Sequence, residues 1–139
     1  LNSCHFNSNT ASDGWGGGAY VEGGTVTFTD CSIHSNTAKL VGGVAIIGNT
    51  VTFSNCNIYD NTAEEGGGAY IQGGTVTFTK CSIHSNTAKY RYTGGGGLAI
   101  IGGEVMLSGC NIYNNSATDG GGAYIYAGTV TFNSCNINN

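Results

Sequence analysis

Six cysteines, at positions 4, 31, 56, 81, 110 and 135, divide the chain into intervals of 27, 25, 25, 29 and 25 residues. Each opens the same phrase, with an apolar residue two positions on and an asparagine five or four positions on: Cys4-Phe6-Asn9, Cys31-Ile33-Asn36, Cys56-Ile58-Asn61, Cys81-Ile83-Asn86, Cys110-Ile112-Asn115 and Cys135-Ile137-Asn139. Five are preceded by an alternating run that begins at Thr25, Thr50, Thr75, Glu104 or Thr129, of the type TVTFT. Upstream of each run lie glycines and an apolar pair. Gly66 to Ala88 repeats Gly16 to Ala38 except at Val21/Ile71, Glu22/Gln72 and Asp30/Lys80. One such unit cannot bury its apolar face alone, whereas a stack of them can.

Alternation gives the faces, because successive strand residues point to opposite sides. Val26 and Phe28 point inward and Thr25 and Thr27 outward; Cys31 and Ile33 point inward after a bend at Thr29-Asp30; Ala19 and Val21 point inward and Tyr20 and Glu22 outward. Glycine is abundant at 25 residues, but it sits at fixed repeat positions beside Val, Ile, Phe and Thr, which favour strands. The expected fold is therefore all-β: a right-handed parallel β-helix of about five coils, each of about 25 residues and three short strands, in one domain over residues 1–139. Handedness follows from the chirality of parallel connections. No apolar run is long enough to span a membrane. A net charge of −4 with four basic residues argues against nucleic acid as a partner. With no initial Met and no signal peptide, the chain reads as processed or as part of something longer.

Stacking turns repeat positions into ladders. Val26, Val51, Val76, Val105 and Val130 form one; Phe28, Phe53, Phe78, Leu107 and Phe132 the next; Ile33, Ile58, Ile83, Ile112 and Ile137 a third. Asn9, Asn36, Asn61, Asn86, Asn115 and Asn139 are expected to line one bend and hydrogen-bond from coil to coil. Glycines are expected to close the other bends. Extra residues in the first interval, around Asp13-Gly14-Trp15, and in the fourth, around Tyr90-Arg91-Tyr92-Thr93, are expected to bulge from one corner. The Tyr-Arg-Tyr loop is a candidate contact site or a tolerated surface insertion.

The pairing of Gly17-Gly18-Ala19, Gly67-Gly68-Ala69 and Gly121-Gly122-Ala123 with Phe6-Asn9, Ile33-Asn36, Ile58-Asn61 and Ile83-Asn86 resembles the repeats of the polymorphic outer-membrane proteins of chlamydiae. It is also similar to the wider group of surface proteins with pectin-lyase-like β-helices. The resemblance covers nearly the whole chain and implies a secreted or surface-displayed β-helix with adhesive or structural roles. The Ile that mostly replaces the family's Phe, and the regular Cys, are departures from that pattern.

Enzymes of this fold carry converging acids or a basic residue in a groove. The only adjacent acids here, Glu64 and Glu65, sit at a bend, and His34 and His84 lie two coils apart, too far to share a metal. The expectation is a non-enzyme with no cofactor and no metal. The six cysteines Cys4, Cys31, Cys56, Cys81, Cys110 and Cys135 either form bridges between adjacent coils, for example Cys4–Cys31, Cys56–Cys81 and Cys110–Cys135, or stay as buried thiols. Thr25, Thr27, Thr50, Thr52, Thr75, Thr77, Thr129 and Thr131 form outward files suited to O-glycans or, as regular T-x-T arrays, to ice; Glu104 and Met106 interrupt them. Asn114 heads the one N-glycosylation sequon. On the outward side of the glycine strand, Tyr20, Tyr70 and Tyr124 alternate with alanines beside Ile47, Ile101 and Tyr126, a candidate surface for protein or glycan. Neither end of the chain reads as a capping repeat. The expected function is that of an extracellular or cell-surface structural protein, assembling with copies of itself into a fibre or layer; the alternatives are a glycan-binding adhesin and then an ice-binding protein.

Overall fold

The Val-x-Phe and Cys-x-Ile alternations fold as read. The computed structural model describes residues 1–89 and 94–138. Three parallel sheets wind around the main apolar core. The largest has three unbroken 11-residue strands, Val44–Ser54, Ala69–Thr79 and Leu98–Ser108. Ala19–Glu22 and Thr25–Thr29 flank them on one side, and Ala123–Ile125 and Thr129–Asn133 on the other. The second stacks the three-residue strands His5–Asn7, Ser32–His34, Asn57–Tyr59, Ser82–His84, Asn111–Tyr113 and Asn136–Asn138. The third contains Thr10–Ala11, Thr37–Ala38, Thr62–Ala63 and Thr87–Ala88.

Two features depart from the sequence reading. In the central coils the glycine strand and the TVTF strand are one strand, not two. Gly73 and Gly74, at φ 83° and 84°, shift the inward phase without ending the pairing. Across the equivalent Gly48-Asn49 step, the inward positions pass from Val44 and Ile46 to Val51 and Phe53. In the first four coils the third strand is instead the Thr-Ala pair after the asparagine, whose Ala38, Ala63 and Ala88 are buried; after Asn115, Ser116 makes only an isolated bridge to Thr87. The bend before each cysteine, moreover, is mostly not closed by glycine, and non-glycine residues take the left-handed conformation at the asparagine bend as well. Asp30, Asn55 and Lys80 before the cysteines, and Ser35, Asp60, Ser85 and Asn114 before the asparagines, hold φ of 52–55°. That conformation costs an L-residue roughly 1–2 kcal/mol, and inter-coil bonds hold it: the backbone N–H groups of Asp30, Asn55 and Lys80 donate to Ser54, Thr79 and Ser108 carbonyls at 2.8–2.9 Å.

The glycine triplets serve close approach. A Cβ on Gly68 would lie 2.5 Å from the Gly97 carbonyl oxygen and 3.0 Å from Asn86 Nδ2. Inside, Phe28, Phe53 and Phe78 stack face to face at 4.8 and 4.7 Å, with ring planes 4° and 5° apart. Phe6 meets Phe28 edge-on. Leu107 continues the column in register with Phe78, so Phe53→Leu keeps an apolar side chain in the file but gives up ring stacking on both sides, and it is expected to cost about 1–2 kcal/mol. A urea titration checks this, and a loss as large as that of a cavity-forming change would contradict it.

Candidate functional site

The repeated polar residues face inward at the bends. Asn36 Nδ2 donates to Asn61 Oδ1, Asn61 Nδ2 to Asn86 Oδ1 and Asn86 Nδ2 to Asn115 Oδ1, each at 3.0 Å. The same oxygens accept the backbone N–H of the preceding asparagine at 3.0–3.1 Å. Each Nδ2 also reaches back one coil, to the carbonyls of Phe6, Ile33 and Ile58 from Asn36, Asn61 and Asn86. Asn9 joins the file from the exposed end through Asn36 Oδ1. Asn139 lies outside the described residues. The cysteines line the other bend as free thiols. Cys31, Cys56, Cys81 and Cys110 lie within hydrogen-bond reach of the carbonyl two residues back, at Thr29, Ser54, Thr79 and Ser108. Burial pushes the Cys31 thiol up. Contact with the Cys110 and Cys56 thiols, with burial, pushes Cys81 up strongly, so both stay protonated at neutral pH.

The outer faces carry whatever recognition the chain performs. On the large sheet Thr25, Thr50, Thr75, Glu104 and Thr129 stand in register, as do Thr27, Thr52, Thr77, Met106 and Thr131. Most of these threonines are exposed, while Thr52 and Thr77 are half-buried. A third hydroxyl file, Thr29, Ser54, Thr79 and Ser108, runs beside them.

The narrow second sheet carries a feature that the sequence reading missed. His34, Tyr59, His84 and Tyr113 stack as one aromatic file, with centroids 4.6, 5.0 and 4.7 Å apart and planes within 13°. Their common offset of three from each cysteine was visible; only the two histidines were read, as a failed metal pair. His34 Nδ1 and His84 Nδ1 hydrogen-bond to Ser35 Oγ and Ser85 Oγ at 3.0 and 3.1 Å. Stacking uses up the ring faces of Tyr59 and His84, so the file presents ring edges to a ligand. Burial lowers the His84 pKa from 6.5, against the opposing charge of Asp60. The fold therefore favours neutral His84. This stabilisation is complete above the unfolded value and is lost as pH falls through the lower folded one. Between about pH 7.5 and about pH 5, the wild type should lose more urea resistance than His84→Gln; an equal or smaller loss would contradict this.

The outward side of the glycine strand needs correction as a surface. Tyr20, at 46% exposure, and Tyr126, at 72%, are open, but Tyr70 is only 6% exposed, and Ala45 and Ala99 are fully buried. Tyr124, Ile47 and Ile101 are half-buried. Trp15 does not simply bulge from its corner: it meets the Tyr70 ring edge-on at 5.3 Å. With Leu40, Ile47 and Ile101 it packs a second small core of Val41, Ala45, Tyr70 and Ala99. The candidate contact residues Tyr90, Arg91 and Tyr92 lie outside the described residues. Below this corner a cleft of about 370 Å³ is lined in part by Asp13, Lys39 and Glu64. Burial, then the charge of Glu64, pushes the half-buried Glu65 carboxyl up. Asn114 and Ser116, the sequon's functional positions, are both exposed.

Among the described residues no helix is long and apolar enough to cross a membrane. A family model described as a right-handed beta helix region matches residues 42–139. No curated protein and no solved structure matches the chain.

Proposed function

We propose, from the premise that the chain belongs to the right-handed β-helix family, that it is a non-catalytic structural protein of the cell exterior, a stacking unit of a fibre or surface layer. Coil equivalence carries this reading. Residues repeated from coil to coil hold the next coil: Asn36, Asn61 and Asn86 make the same bonds in turn, and Ile33, Ile58, Ile83 and Ile112 are all fully buried. Such a geometry adds like to like. Contacts of this head-to-tail kind do not close, so they generate filaments. The three outward hydroxyl files offer a regular side for lateral packing. The resemblance to chlamydial and other surface proteins supports the extracellular placement.

A second reading, a glycan-binding adhesin, is favoured by the aromatic file of His34, Tyr59, His84 and Tyr113. Its outward edges offer hydrogen-bonding atoms every coil. Ice binding draws on the same hydroxyl files, but Glu104 and Met106, both exposed, break their regularity. Electron microscopy at physiological salt, with native mass, tests the first reading. Ordered filaments whose axial repeat is a multiple of the coil rise of about 4.8 Å are expected. A monodisperse monomer would sink self-assembly, and retention on a glycan array by that monomer, lost in Tyr59→Ala, would favour the adhesin.

A further inference from the structure

From Cys31 onward each cysteine stacks on the next: the N–H groups of Asn57, Ser82, Asn111 and Asn136 donate to the carbonyls of Cys31, Cys56, Cys81 and Cys110, each at 2.9 Å. The Cys81 backbone N–H also donates to Cys110 Sγ at 3.4 Å. At the other end the Ser32 N–H donates to the Cys4 carbonyl at 2.9 Å, which stacks Cys31 on Cys4. Six sulfurs thus form a single file through the core. Coils lie about 4.8 Å apart, a Cα separation that a disulfide spans. Access along the file is uneven. Cys4 and Cys135 are half-buried, whereas Cys31, Cys56, Cys81 and Cys110 are 1–2% exposed.

We propose that this file is a disulfide relay, taking oxidising equivalents from a small-molecule disulfide at Cys4 and Cys135 and passing them inward until adjacent coils are bridged in pairs. The chemistry balances at each step. Cys4, losing its proton, attacks one sulfur of the small disulfide. A Cys4 mixed disulfide forms and one small thiol leaves with the proton. Cys31 then attacks Cys4 Sγ; the Cys4–Cys31 bond forms and the second small thiol leaves, again protonated. Two cysteine thiols have been oxidised and one small disulfide reduced to two thiols.

The bond can then move inward without further oxidant. Cys56 attacks Cys31 Sγ, the Cys31–Cys56 bond forms and Cys4 leaves as a thiol with the proton. A second hop, by Cys81 on Cys56, gives Cys56–Cys81 and frees Cys31. Cys4 and Cys31 can then be bridged by a second small disulfide. Consecutive sulfurs of one file supply the attacking, central and leaving atoms that exchange requires. Entry from Cys135 runs the mirror course. A file of six has one complete pairing of neighbours: Cys4–Cys31, Cys56–Cys81 and Cys110–Cys135. A disulfide is neutral, so the apolar core accepts it. The neighbouring Cys110 and Cys56 thiols, with burial, raise the Cys81 thiol, so the hop that Cys81 makes onto Cys56 is expected to be slow at neutral pH and to quicken as pH rises, because the thiolate is the nucleophile.

The test incubates the reduced, folded chain with excess oxidised glutathione and maps bridges over time by peptide mass spectrometry. Cys4–Cys31 and Cys110–Cys135 are expected early, with every thiol consumed at the end in the single complete pairing. Interior thiols that stay reduced after Cys4 and Cys135 have reacted would overturn the relay. So would glutathione adducts accumulating on Cys56 or Cys81. In the double variant Cys31→Ala, Cys110→Ala both routes are cut. Cys4 and Cys135 should then keep glutathione, and Cys56–Cys81 should close about tenfold or more slowly. Closure at the wild-type rate in a folded double variant would also overturn the proposal; if that variant fails to fold, the order of bridging in the wild type decides.

Discussion

Asn61→Ala should remove about 4 kcal/mol of stability. Asn61 is fully buried, and its side chain serves three coils. Its Oδ1 accepts both the backbone N–H and the Nδ2 of Asn36, at 3.1 and 3.0 Å. Its Nδ2 donates to Ile33 O at 2.9 Å and to Asn86 Oδ1 at 3.0 Å. Alanine leaves two donors and a carbonyl in the interior short of a partner, and each such group costs about 1–3 kcal/mol. Against a whole-domain stability of about 5–15 kcal/mol, that is a large fraction. Asn9→Ala is the control. Asn9 is exposed, and without its side chain Asn36 Oδ1 still accepts the Asn9 backbone N–H at 3.0 Å, so a loss of about 1 kcal/mol or less is expected. Urea titration of both variants checks the difference; equal losses would mean that the asparagine file does not hold the coils.

Gly68→Val should be comparably damaging, by about 4 kcal/mol or more. The position needs space, not unusual backbone freedom. A Cβ there would lie 2.5 Å from the Gly97 carbonyl oxygen of the next coil and against the Asn86 amide. Backbone cannot yield without moving a whole coil out of register. Gly23→Ala separates the two possible roles of glycine. No atom lies within 4 Å of a Cβ at Gly23, but its φ is +89°, so the cost should be conformational only, about 1 kcal/mol. A Gly68→Val chain that unfolds at the same urea concentration as Gly23→Ala would refute close packing at the glycine triplet.

The core was legible because its signal is periodic at two scales. Val-x-Phe fixes the inward face within a strand, and the cysteine interval fixes which residues stack. Phe28, Phe53 and Phe78, the isoleucines and the asparagines could therefore be placed without coordinates. What was misread depends on contacts that carry no period. Gly73-Gly74 looked like a break because glycine pairs usually end strands, yet left-handed φ at both positions carries the pairing through while switching the face. Thr37-Ala38 is too short to alternate, so its strand left no pattern. Tyr70 was read as exposed from its outward phase alone. Its burial depends on Trp15, which arrives from a loop two coils earlier and follows no repeat. Left-handed bends at Asp30 and Asn55 match known preferences of those residues, but Lys80 occupies the same bend with none. The His34-Tyr59-His84-Tyr113 file was readable from spacing and went unread because two residue types alternate in one column.

The asparagine file is what joins coil to coil, and side-chain amide hydrogen exchange measured by NMR on the folded chain tests it residue by residue. The Nδ2 protons of Asn36, Asn61 and Asn86 should exchange about a hundredfold or more slowly than those of exposed Asn114, because their release requires coils to separate. Exchange of all four at the same rate would contradict a solenoid held together through its buried amides.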